Sequence, residues 1–382
     1  MSVSPTTAAS AAITIAHIET GRYLYGGAQQ VAWLLEGLKN RGVNNLLIAP
    51  KGSHISEHVK AAGTATVLRT SSAGDLSLKF FREAKQLLIQ HQPSLVHIHS
   101  RRGADTLGAL AARRVGIPAV LSRRVDNREH PLAIRFKYPL YREVIGISQA
   151  ICDVLAGQGI DREHLHCVHS SVDSSAFDTS TENRSRARKA LAHSFAIAED
   201  HLLLAVVAQL IPRKGHRQLL DVLPQIIQQY PAFKLLIFGQ GPERDAIAAQ
   251  ISANNLSEHV VLAGFHAELD KDLMGIDLIV HPAEKEGLGV ALLKASAAGV
   301  PVIAGRAGGI PEIIRDQHNG LLFDPGDNTQ LKHCLEQLLT SPSLRAKMGA
   351  TGIEIAQNEF SIDTMVDGNL AVYRRVLNDI AV

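Results

Sequence analysis

The strongest constraint on the fold is a repeated alternation of short apolar runs with helical segments. The apolar runs are continuous and rich in Val, Ile and Leu, which is typical of parallel strands covered by helices on both faces. Strands are predicted at Ile13–Ile18, Asn45–Ala49, Thr66–Leu68, Leu95–His99, Ala119–Leu121, Val144–Ile147, Leu165–Val168, Leu202–Ala208, Lys234–Phe238, Val260–Leu262, Leu278–His281, Val302–Ala304 and Leu321–Phe323. Helices are predicted at Gly27–Lys39, Ser77–Gln90, Gly103–Val115 and Gln149–Ala156. This rhythm predicts an α/β fold built on doubly wound parallel sheets.

One polar interruption divides the chain. The segment 173–200 is predicted to be a linker that leads into a helix. We therefore predict two Rossmann-like domains, residues 1–175 and 196–360, which face each other across a cleft. The helical tail within residues 361–382 has no strand after it and must pack against another part of the molecule. A chain of 382 residues is long enough for two domains of ordinary size.

Composition predicts a soluble cytoplasmic protein. Hydrophobic residues make up 46% of the chain and charged residues 20%, which favours a large core and argues against disorder. The N-terminal MSVSPTTAASAA lacks the basic and apolar regions of a signal peptide, and no stretch approaches the ~20 apolar residues of a membrane span. Cys152, Cys167 and Cys334 show no disulfide or metal-ligand spacing, which favours a reduced compartment.

Charge is distributed unevenly along the chain. Residues 1–173 hold 20 Lys and Arg against 13 Asp and Glu, whereas the remainder has a net charge of −5. The clustered basic residues are Arg101, Arg102, Arg113, Arg114, Arg123, Arg124, Arg128, Arg135 and Lys137. Such a half would attract phosphorylated acceptors or an anionic membrane surface over ~8–10 Å, although a solvated basic face is an alternative. The segment His130–Val144 matches either an interfacial segment or a buried helix with a basic rim.

Glycine-rich loops follow several predicted strands, where open α/β sheets bind ligands. Gly26 and Gly27 open a helix, so backbone N–H groups there can approach a phosphate. Arg213 and Lys214 precede another helix, whose dipole they oppose unless an anion lies between. Gly239 begins a third loop, FGQGPE. Ordinary turns and solvated surface charges are the alternative interpretations of these loops.

The stretch from His281 to Glu312, HPAEKEGLGVALLKASAAGVPVIAGRAGGIPE, is the most informative of all. Glu286 stands beside Gly287 and Gly289 at the start of a predicted helix. A carboxylate and several N–H groups at one helix N-terminus suit a ligand that carries hydroxyls and phosphate. The alternative is a helix N-terminal charge worth only ~0.3–1 kcal/mol. A second glycine turn, ending in Glu312, favours the ligand site.

Together, EGLG, AAGVPVIA, GGIPE, the VAQLIPRKG loop, Gly26-Gly27 and the SSVD of Ser170–Asp173 resemble the motifs of retaining glycosyltransferases of family 4. The resemblance extends over nearly the whole chain in the same order. It implies a GT-B architecture, in which the last helix crosses back to the first domain. It also implies a nucleotide diphosphate sugar as cosubstrate, with no metal or other cofactor, and no nucleic-acid partner.

The resemblance implies roles for particular residues. Lys214, with neighbouring Arg213, would contact the donor diphosphate, and Glu286 would bind hydroxyls of the transferred sugar. Backbone N–H groups of Gly287, Leu288 and Gly289 would hold sugar and phosphates. Gly26 and Gly27 would close on the diphosphate from the opposite domain. Gly239, Lys294 and Glu312 are assigned to the same donor site.

Three positions depart from the family pattern. Lys294 stands where a second glutamate normally accepts hydrogen bonds from ribose, and lysine has no acceptor. Gln209 replaces an arginine, and the run Ser122-Arg123-Arg124 stands where a histidine is common, so that an arginine there could meet a phosphate of donor or acceptor. We hypothesise that Lys294 pairs with Glu286 or Glu312, or reaches the diphosphate.

The predicted function is transfer of a hexose, with retention, to a cell-surface glycan or a lipid-linked acceptor such as lipopolysaccharide core. The enzyme would be cytoplasmic and peripheral at the inner face of the membrane. Two alternatives remain open on sequence alone. One is a catalytically impaired GT-B protein that binds a nucleotide sugar or glycan, and the other is a sugar-nucleotide epimerase.

Overall fold

The computed structural model describes residues 13–24, 26–71, 77–99, 103–198, 200–266 and 268–379. The N-terminal MSVSPTTAASAA, the pair Arg101-Arg102 and the last three residues of the tail lie outside these ranges, as do the predictions made on them. In the described residues, no helix is both long enough and apolar enough to span a lipid bilayer.

The predicted fold class is confirmed by two parallel sheets. The first sheet contains β1 (Thr14–Ile18), β2 (Asn44–Pro50), β3 (Thr66–Thr70), β4 (Leu95–Ile98), β5 (Ala119–Arg123), β6 (Glu143–Gly146) and β7 (Leu165–Cys167), in the order β3-β2-β1-β4-β5-β6-β7. The second contains β8 (Leu202–Val207), β9 (Phe233–Phe238), β10 (Val260–Gly264), β11 (Leu278–His281), β12 (Val302–Gly305) and β13 (Gly320–Phe323), in the order β10-β9-β8-β11-β12-β13. Each predicted strand corresponds to one of these, and their central members are almost completely buried because helices cover both faces.

Helices connect the strands and cover the sheets. In the first half they are α1 (Gly27–Asn40), α2 (His54–Ala62), α3 (Leu78–His91), α4 (Ala104–Arg114), α5 (Pro131–Lys137) and α6 (Gln149–Ala156). In the second half they are α7 (Thr181–Phe195), α8 (His216–Gln229), α9 (Arg244–Ala253), α10 (Leu269–Asp272), α11 (Val290–Ala297), α12 (Ile310–Ile313), α13 (Asn328–Thr340), α14 (Pro342–Glu359) and α15 (Ile362–Asn378).

The polar segment between the sheets contains a helix that belongs with the second sheet. Arg188 on α7 donates to the Asp277 carboxylate at 3.0 Å, and Arg184 donates to the Ala298 carbonyl oxygen at 3.1 Å. Gly275 lies so close to the α7 backbone at Arg188 that a Cβ would be 2.5 Å from the amide nitrogen. The sequence predicts a linker that leads into a helix, and these long-range contacts explain why that helix lies beside the second sheet.

The last helix, α15, crosses back to the first domain, as the GT-B resemblance implies. Arg41 at the end of α1 forms ion pairs with Asp363 and Asp367, at 2.9 and 2.7 Å. Val366 packs against Gly37 of α1, where any Cβ would overlap its side chain. These contacts explain how the chain end is held without a strand after it.

Tyr373 of α15 packs in the core of the first domain. Its side chain is completely buried, and its hydroxyl lies 2.5 Å from Nδ1 of His97. The other ring nitrogen of His97 lies 2.8 Å from the Ser122 hydroxyl. Burial holds the pKa of His97 well below its usual value, so its neutral ring needs one donor and one acceptor as partners.

We predict that Tyr373→Phe lowers the thermal stability of the first domain. The change leaves a buried ring nitrogen without its partner, which costs about 1–3 kcal/mol. The measurement is the melting temperature, compared with that of Tyr230→Phe, which removes the same hydroxyl from a partly exposed tyrosine. Equal melting temperatures for the two variants would contradict this account of α15.

Candidate functional site

The candidate site lies where the strand order of each sheet reverses. β8 and β11 are adjacent although they are not consecutive, and so are β1 and β4. A crevice opens at such a switch point beyond the carboxyl ends of the strands. The loop after β8 carries Lys214, the loop after β11 carries Glu286, and the loop after β1 leads to Gly26. Residues far apart in sequence therefore face one cleft.

A nearly buried ion pair forms the second-domain side of the cleft. The Lys214 ammonium donates to Oε2 of Glu286, and only 10% and 15% of the two side chains remain exposed. Nε2 of His281 lies 3.0 Å from the same oxygen, and the Gly287 N–H donates to the other at 3.2 Å. Burial raises the pKa of Glu286, but the His281 hydrogen bond and the Lys214 charge outweigh it and bring the pKa to about 2. The carboxylate is therefore ionised at neutral pH.

Glycines allow the surrounding loops to approach this pair. Gly215, at φ 71°, follows Lys214 and packs so closely on Pro282 that a Cβ would overlap the Pro282 carbonyl oxygen. Gly308, at φ 52°, packs just as closely on Glu286, so that a Cβ would overlap the Glu286 carbonyl oxygen. Gly289, at φ 98°, turns the chain into α11. Other residues rarely adopt such backbone angles, so these positions fix the Lys214 and Glu286 loops.

The first domain supplies the opposite side of the cleft. Gly26 precedes α1 and lines the cavity together with Gly27, whose added Cβ would be 3.2 Å from Arg124 Cδ. Arg124 follows β5, and its Nη1 donates to the Ser170 hydroxyl at a long 3.4 Å. Its Nε is buried and has no hydrogen-bond partner among the described residues. Burial lowers the pKa of Arg124, so an anion in the cleft would satisfy a costly buried cation.

Between these two sides lies a cavity of about 270 Å³. Seven of the predicted site residues line it, namely Gly26, Gly27, Lys214, Glu286, Gly287, Leu288 and Gly289. The N-termini of α1 and α11 therefore open on one space, with two cationic side chains beside them. This combination attracts a polyanion that also carries hydroxyls.

Two predicted site residues have other partners. Arg213 is 42% exposed, donates to the Lys285 carbonyl oxygen at 3.2 Å and lies 3.8 Å from the Asp126 carboxylate across the cleft. Gly239, at φ 149°, packs so closely on the carbonyl oxygen of Ala208 that no side chain would fit. In this structure Arg213 thus links two loops, and Gly239 allows its loop to pack closely against Ala208.

The hypothesis that Lys294 pairs with Glu286 or Glu312 is wrong. Lys294 lies in the last turn of α11, and its ammonium is 2.6 Å from the Asp270 carboxylate on α10. Asp270 and Lys294 approach each other only through tertiary packing, which spacing along the chain does not reveal. Lys294 is 31% exposed and lies outside the lining of the cavity described above.

Glu312 joins the two domains instead of lining the cavity. Its carboxylate accepts from the backbone N–H groups of Gln149 and Ala150, at 2.7 and 2.9 Å, at the start of α6. Nε2 of His169 lies 2.7 Å from the same carboxylate. Burial opposes ionisation, but His169 and the two N–H groups hold the pKa of Glu312 below its usual value. The Glu312 carboxylate thus contacts the first domain in this structure, and its contact with a donor stays a prediction.

Sequence reasoning placed some cavity residues in the right loops without assigning them to the site. Gln30 lines the cavity, and its side chain also makes hydrogen bonds of 2.8 and 2.7 Å to the Ser171 backbone. His281 ends a predicted strand, and nothing in the sequence around it marks it as part of the site. Arg124 belongs to the basic run after the fifth strand, but Arg123 beside it is bound to Glu129 at 2.6 Å. Consecutive residues of a strand point to opposite faces, but this alternation does not tell which of the two arginines faces the cleft.

We predict that Glu312→Gln destabilises the protein at pH 7 by about 1 kcal/mol, since a carboxylate at a helix N-terminus is lost. Glu312 has a lowered pKa in the folded state, so its contribution is present above the pKa of an unfolded glutamate and disappears as the pH falls through the folded value. The difference in stability between variant and wild type should therefore shrink on acidification. Urea unfolding at several pH values measures this difference in stability. The control is Glu354→Gln, which changes an exposed glutamate. A difference that grows on acidification would refute the proposed role of the Glu312 carboxylate.

Comparison with known proteins agrees with this architecture. The family model for glycosyl transferases group 1 matches residues 187–355, and that for Glycosyltransferase Family 4 matches residues 25–176. A glycosyltransferase from Rickettsia africae has a TM-score of 0.84 at 17% identity, covering 96% of this chain and 99% of that one. Anabaena HepE, solved with UDP and glucose, has a TM-score of 0.80 at 20% identity, covering 95% and 100%.

Curated relatives align over shorter stretches. A GDP-mannose-dependent phosphatidylinositol monomannoside mannosyltransferase of Corynebacterium glutamicum is 34% identical over 213 residues, or 53% of each chain. N-acetyl-alpha-D-glucosaminyl L-malate synthase of Bacillus anthracis is 30% identical over 189 residues, or 50% of this chain and 49% of that protein. The chain thus spans about half the length of these relatives. With both family models matched in order and the GT-B fold throughout, the chain belongs to the group 1, family 4 glycosyltransferases.

Proposed function

We propose that this protein is a retaining, metal-independent glycosyltransferase that uses a nucleotide diphosphate sugar. The observation that carries the proposal is the cavity between the domains, where the Lys214–Glu286 pair faces Arg124 and two helices begin. A nucleotide diphosphate sugar presents both anionic oxygens and sugar hydroxyls, which match the two cations and the carboxylate. Charge, hydrogen bonding and position therefore favour the same class of ligand.

The leaving diphosphate is the group that most needs stabilisation. Breaking the sugar–phosphate bond places negative charge on it, and fixed cations and N–H groups lower the barrier when they are already in position. Lys214 and Arg124 supply charge from opposite domains, and the N-termini of α1 and α11 supply oriented dipoles. We infer that these groups stabilise the charge of the leaving diphosphate, which a divalent metal stabilises in other enzymes.

Glu286 would hold the transferred sugar. Its carboxylate is ionised and acceptor-only, so it can accept hydrogen bonds from sugar hydroxyls. An acceptor hydroxyl would attack the anomeric carbon on the face that the leaving group departs. The bond to the diphosphate oxygen breaks as the new C–O bond forms, and the hydroxyl proton passes to the leaving phosphate. This sequence requires no protein nucleophile.

The donor sugar is proposed to be a hexose. The Corynebacterium relative is named for GDP-mannose, and the Bacillus relative for an N-acetylglucosaminyl product. The Anabaena structure contains UDP and glucose. These names support a hexose or N-acetylhexosamine carried on UDP or GDP.

An acceptor pocket is proposed beside the cleft in the first domain. A cavity of about 340 Å³ is lined by residues that include Arg128, His130 and the buried network of Asp105, Arg123, Glu129 and Lys137. Lys137 lies 2.6 Å from Glu129 and 3.2 Å from Asp105. Carboxylates and cations held this rigidly suit the hydroxyls of a glycan or the phosphate of a lipid-linked acceptor. The lipopolysaccharide core remains one example of such an acceptor.

We predict that Lys214→Met lowers turnover of the nucleotide sugar by roughly 10²–10³, because one preorganised charge at the leaving group is lost. UDP and GDP are first screened for a rise in melting temperature, since a ligand at 100 times its Kd adds ~2.7 kcal/mol of stability. Turnover of the corresponding labelled sugars is then measured. The control is Lys347→Met, which changes an exposed lysine of α14.

The same assay separates the alternative functions. A protein that binds UDP or GDP but never turns over a sugar, with or without acceptor, would be a binding protein that has lost catalysis. Conversion of the donor sugar to its epimer without any acceptor would identify an epimerase. Either result would overturn the proposed glycosyl transfer, as would unchanged turnover in Lys214→Met.

We also propose that α5 meets an anionic membrane surface. Leu132 and Phe136 are 59% and 66% exposed on successive turns of this helix, and the exposed Arg135 lies beside them. Apolar side chains flanked by cations are typical of helices that lie in a lipid interface. This arrangement favours the interfacial interpretation of the His130–Val144 segment.

We predict that the protein co-sediments with anionic liposomes at ~0.15 M salt and that Leu132→Ser/Phe136→Ser lowers the affinity by roughly tenfold or more. The matched control is Leu78→Ser/Phe265→Ser, which removes two apolar side chains elsewhere that are at least as exposed. Absence of binding by the wild type, or equal loss in both double variants, would refute the membrane contact.

A further inference from the structure

Two groups of potential metal ligands occur among the described residues, and neither lines the central cavity. One consists of His17, His97 and His99, and the other of Cys167, His169 and Glu312. Within each group, one ligand atom of each residue lies within 4.8 Å of the others. Spacing along the chain did not reveal the second group, because Glu312 comes from the other domain.

In the group of Cys167, His169 and Glu312, the other two ligand atoms lie close to Nε2 of His169. Nε2 of His169 lies 3.6 Å from the Cys167 sulfur and 2.7 Å from Oε2 of Glu312. Tetrahedral zinc, with bonds of about 2.3 Å to sulfur and about 2.0–2.1 Å to nitrogen and oxygen, places sulfur and nitrogen about 3.6 Å apart and nitrogen and oxygen about 3.3 Å apart. The sulfur–nitrogen distance already fits, and the His169–Glu312 contact would open by about 0.6 Å.

A second thiol lies beside the first. Cys167 pairs in register with Gly146 of β6, and a Cβ on Gly146 would lie 2.5 Å from the sulfur of Cys152. Glycine at position 146 thus leaves room for the Cys152 thiol near Cys167. The group whose ligand atoms all lie within 4.8 Å of one another consists of Cys167, His169 and Glu312. Its donor set is therefore one sulfur, an imidazole and a carboxylate, all of which are ligands that Zn²⁺ accepts in proteins.

We propose that Cys167, His169 and Glu312 bind a Zn²⁺ ion, with a water molecule completing the tetrahedral set. Binding converts the Cys167 thiol to a thiolate, and its proton passes to solvent. Oε1 of Glu312 keeps the Ala150 N–H during this change. A cavity of about 150 Å³ lined by Cys167, His169 and Ser361 gives the ion a route from solvent.

The metal would act on the contact between the domains. Cys167 and His169 belong to the first domain, and Glu312 follows the glycine turn that packs on Glu286. A bound ion would therefore connect the first domain to the loop behind the candidate donor site. The proposal does not depend on glycosyl transfer, because it concerns metal binding alone.

The all-histidine group is a weaker candidate for metal binding. Both nitrogens of His97 already have partners, Tyr373 and Ser122. His17 and His99 contact each other through Nδ1 and Nε2 at 3.0 Å. All three side chains are almost completely buried. A metal there would displace hydrogen bonds that hold α15 in place.

Cobalt provides the test, since it occupies zinc sites and reports sulfur ligation by a thiolate-to-metal charge-transfer band. Full-length protein is reduced, stripped with a chelator and titrated with Co²⁺, and then with Zn²⁺ as competitor. We expect one equivalent of Co²⁺ with the charge-transfer band, displaced by Zn²⁺. We also expect Cys167→Ser to weaken Zn²⁺ binding by at least ~100-fold, beyond the ~10–100-fold typical of losing a residue that only orients a ligand. Cys334→Ser, which changes the third cysteine, should bind like wild type.

Several outcomes would overturn the proposal. They are the absence of Co²⁺ binding by reduced wild type, binding without the charge-transfer band, and a band that persists in Cys167→Ser. Binding without the band would place the ion at ligands other than sulfur, for example at the histidine group, and a persisting band would place it at another cysteine. Should Cys167→Ser fail to fold, alkylation of the wild type decides the question: Zn²⁺ should protect Cys167 from the reagent and leave Cys334 unaffected, and equal labelling of Cys167 with and without Zn²⁺ would contradict the site.

Discussion

The nearly buried carboxylate of Glu286 imposes the arrangement of the loops around it. A charge removed from water is strongly unfavourable unless other groups compensate it, and Lys214, His281 and the Gly287 N–H do so here. Lys214 can reach Glu286 only because Gly215 lets its loop pack directly on Pro282. The buried position of the Glu286 side chain thereby determines the path of the Lys214 loop and of the Glu286 loop.

The contact between the domains depends on the turn that contains Glu286 and Gly287. Ser148, at the start of α6, donates to the Gly287 carbonyl oxygen at 2.7 Å, and Glu312 caps that helix from the second domain. Buried apolar residues continue from one domain to the other, with Ile147 and Ile151 in the same cluster as Leu288. The two domains are consequently in direct contact beside the candidate donor groups.

Much of the fold could be predicted because its signals are local. Strand and helix alternation identified both sheets, and glycine after a strand identified the loops at their carboxyl ends. The site was predicted less completely. Lys294 lies in the last turn of α11, whereas Glu286 lies in the loop before that helix, so the partner of Lys294 depends on what packs beside α11. Asp270 of α10 occupies that place, and nothing near Lys294 in the sequence indicates it.

The sequence by itself determined the order of strands and helices, the glycines that permit close turns, and a carboxylate and a lysine in loops that face a cleft. These features follow from backbone preferences and burial within short segments. Only the tertiary structure decided which side chains meet: Arg124 instead of Arg123 at the cavity, Glu312 on α6, and a cysteine beside a histidine and a glutamate. Such pairings depend on distances across two domains, which no local pattern specifies.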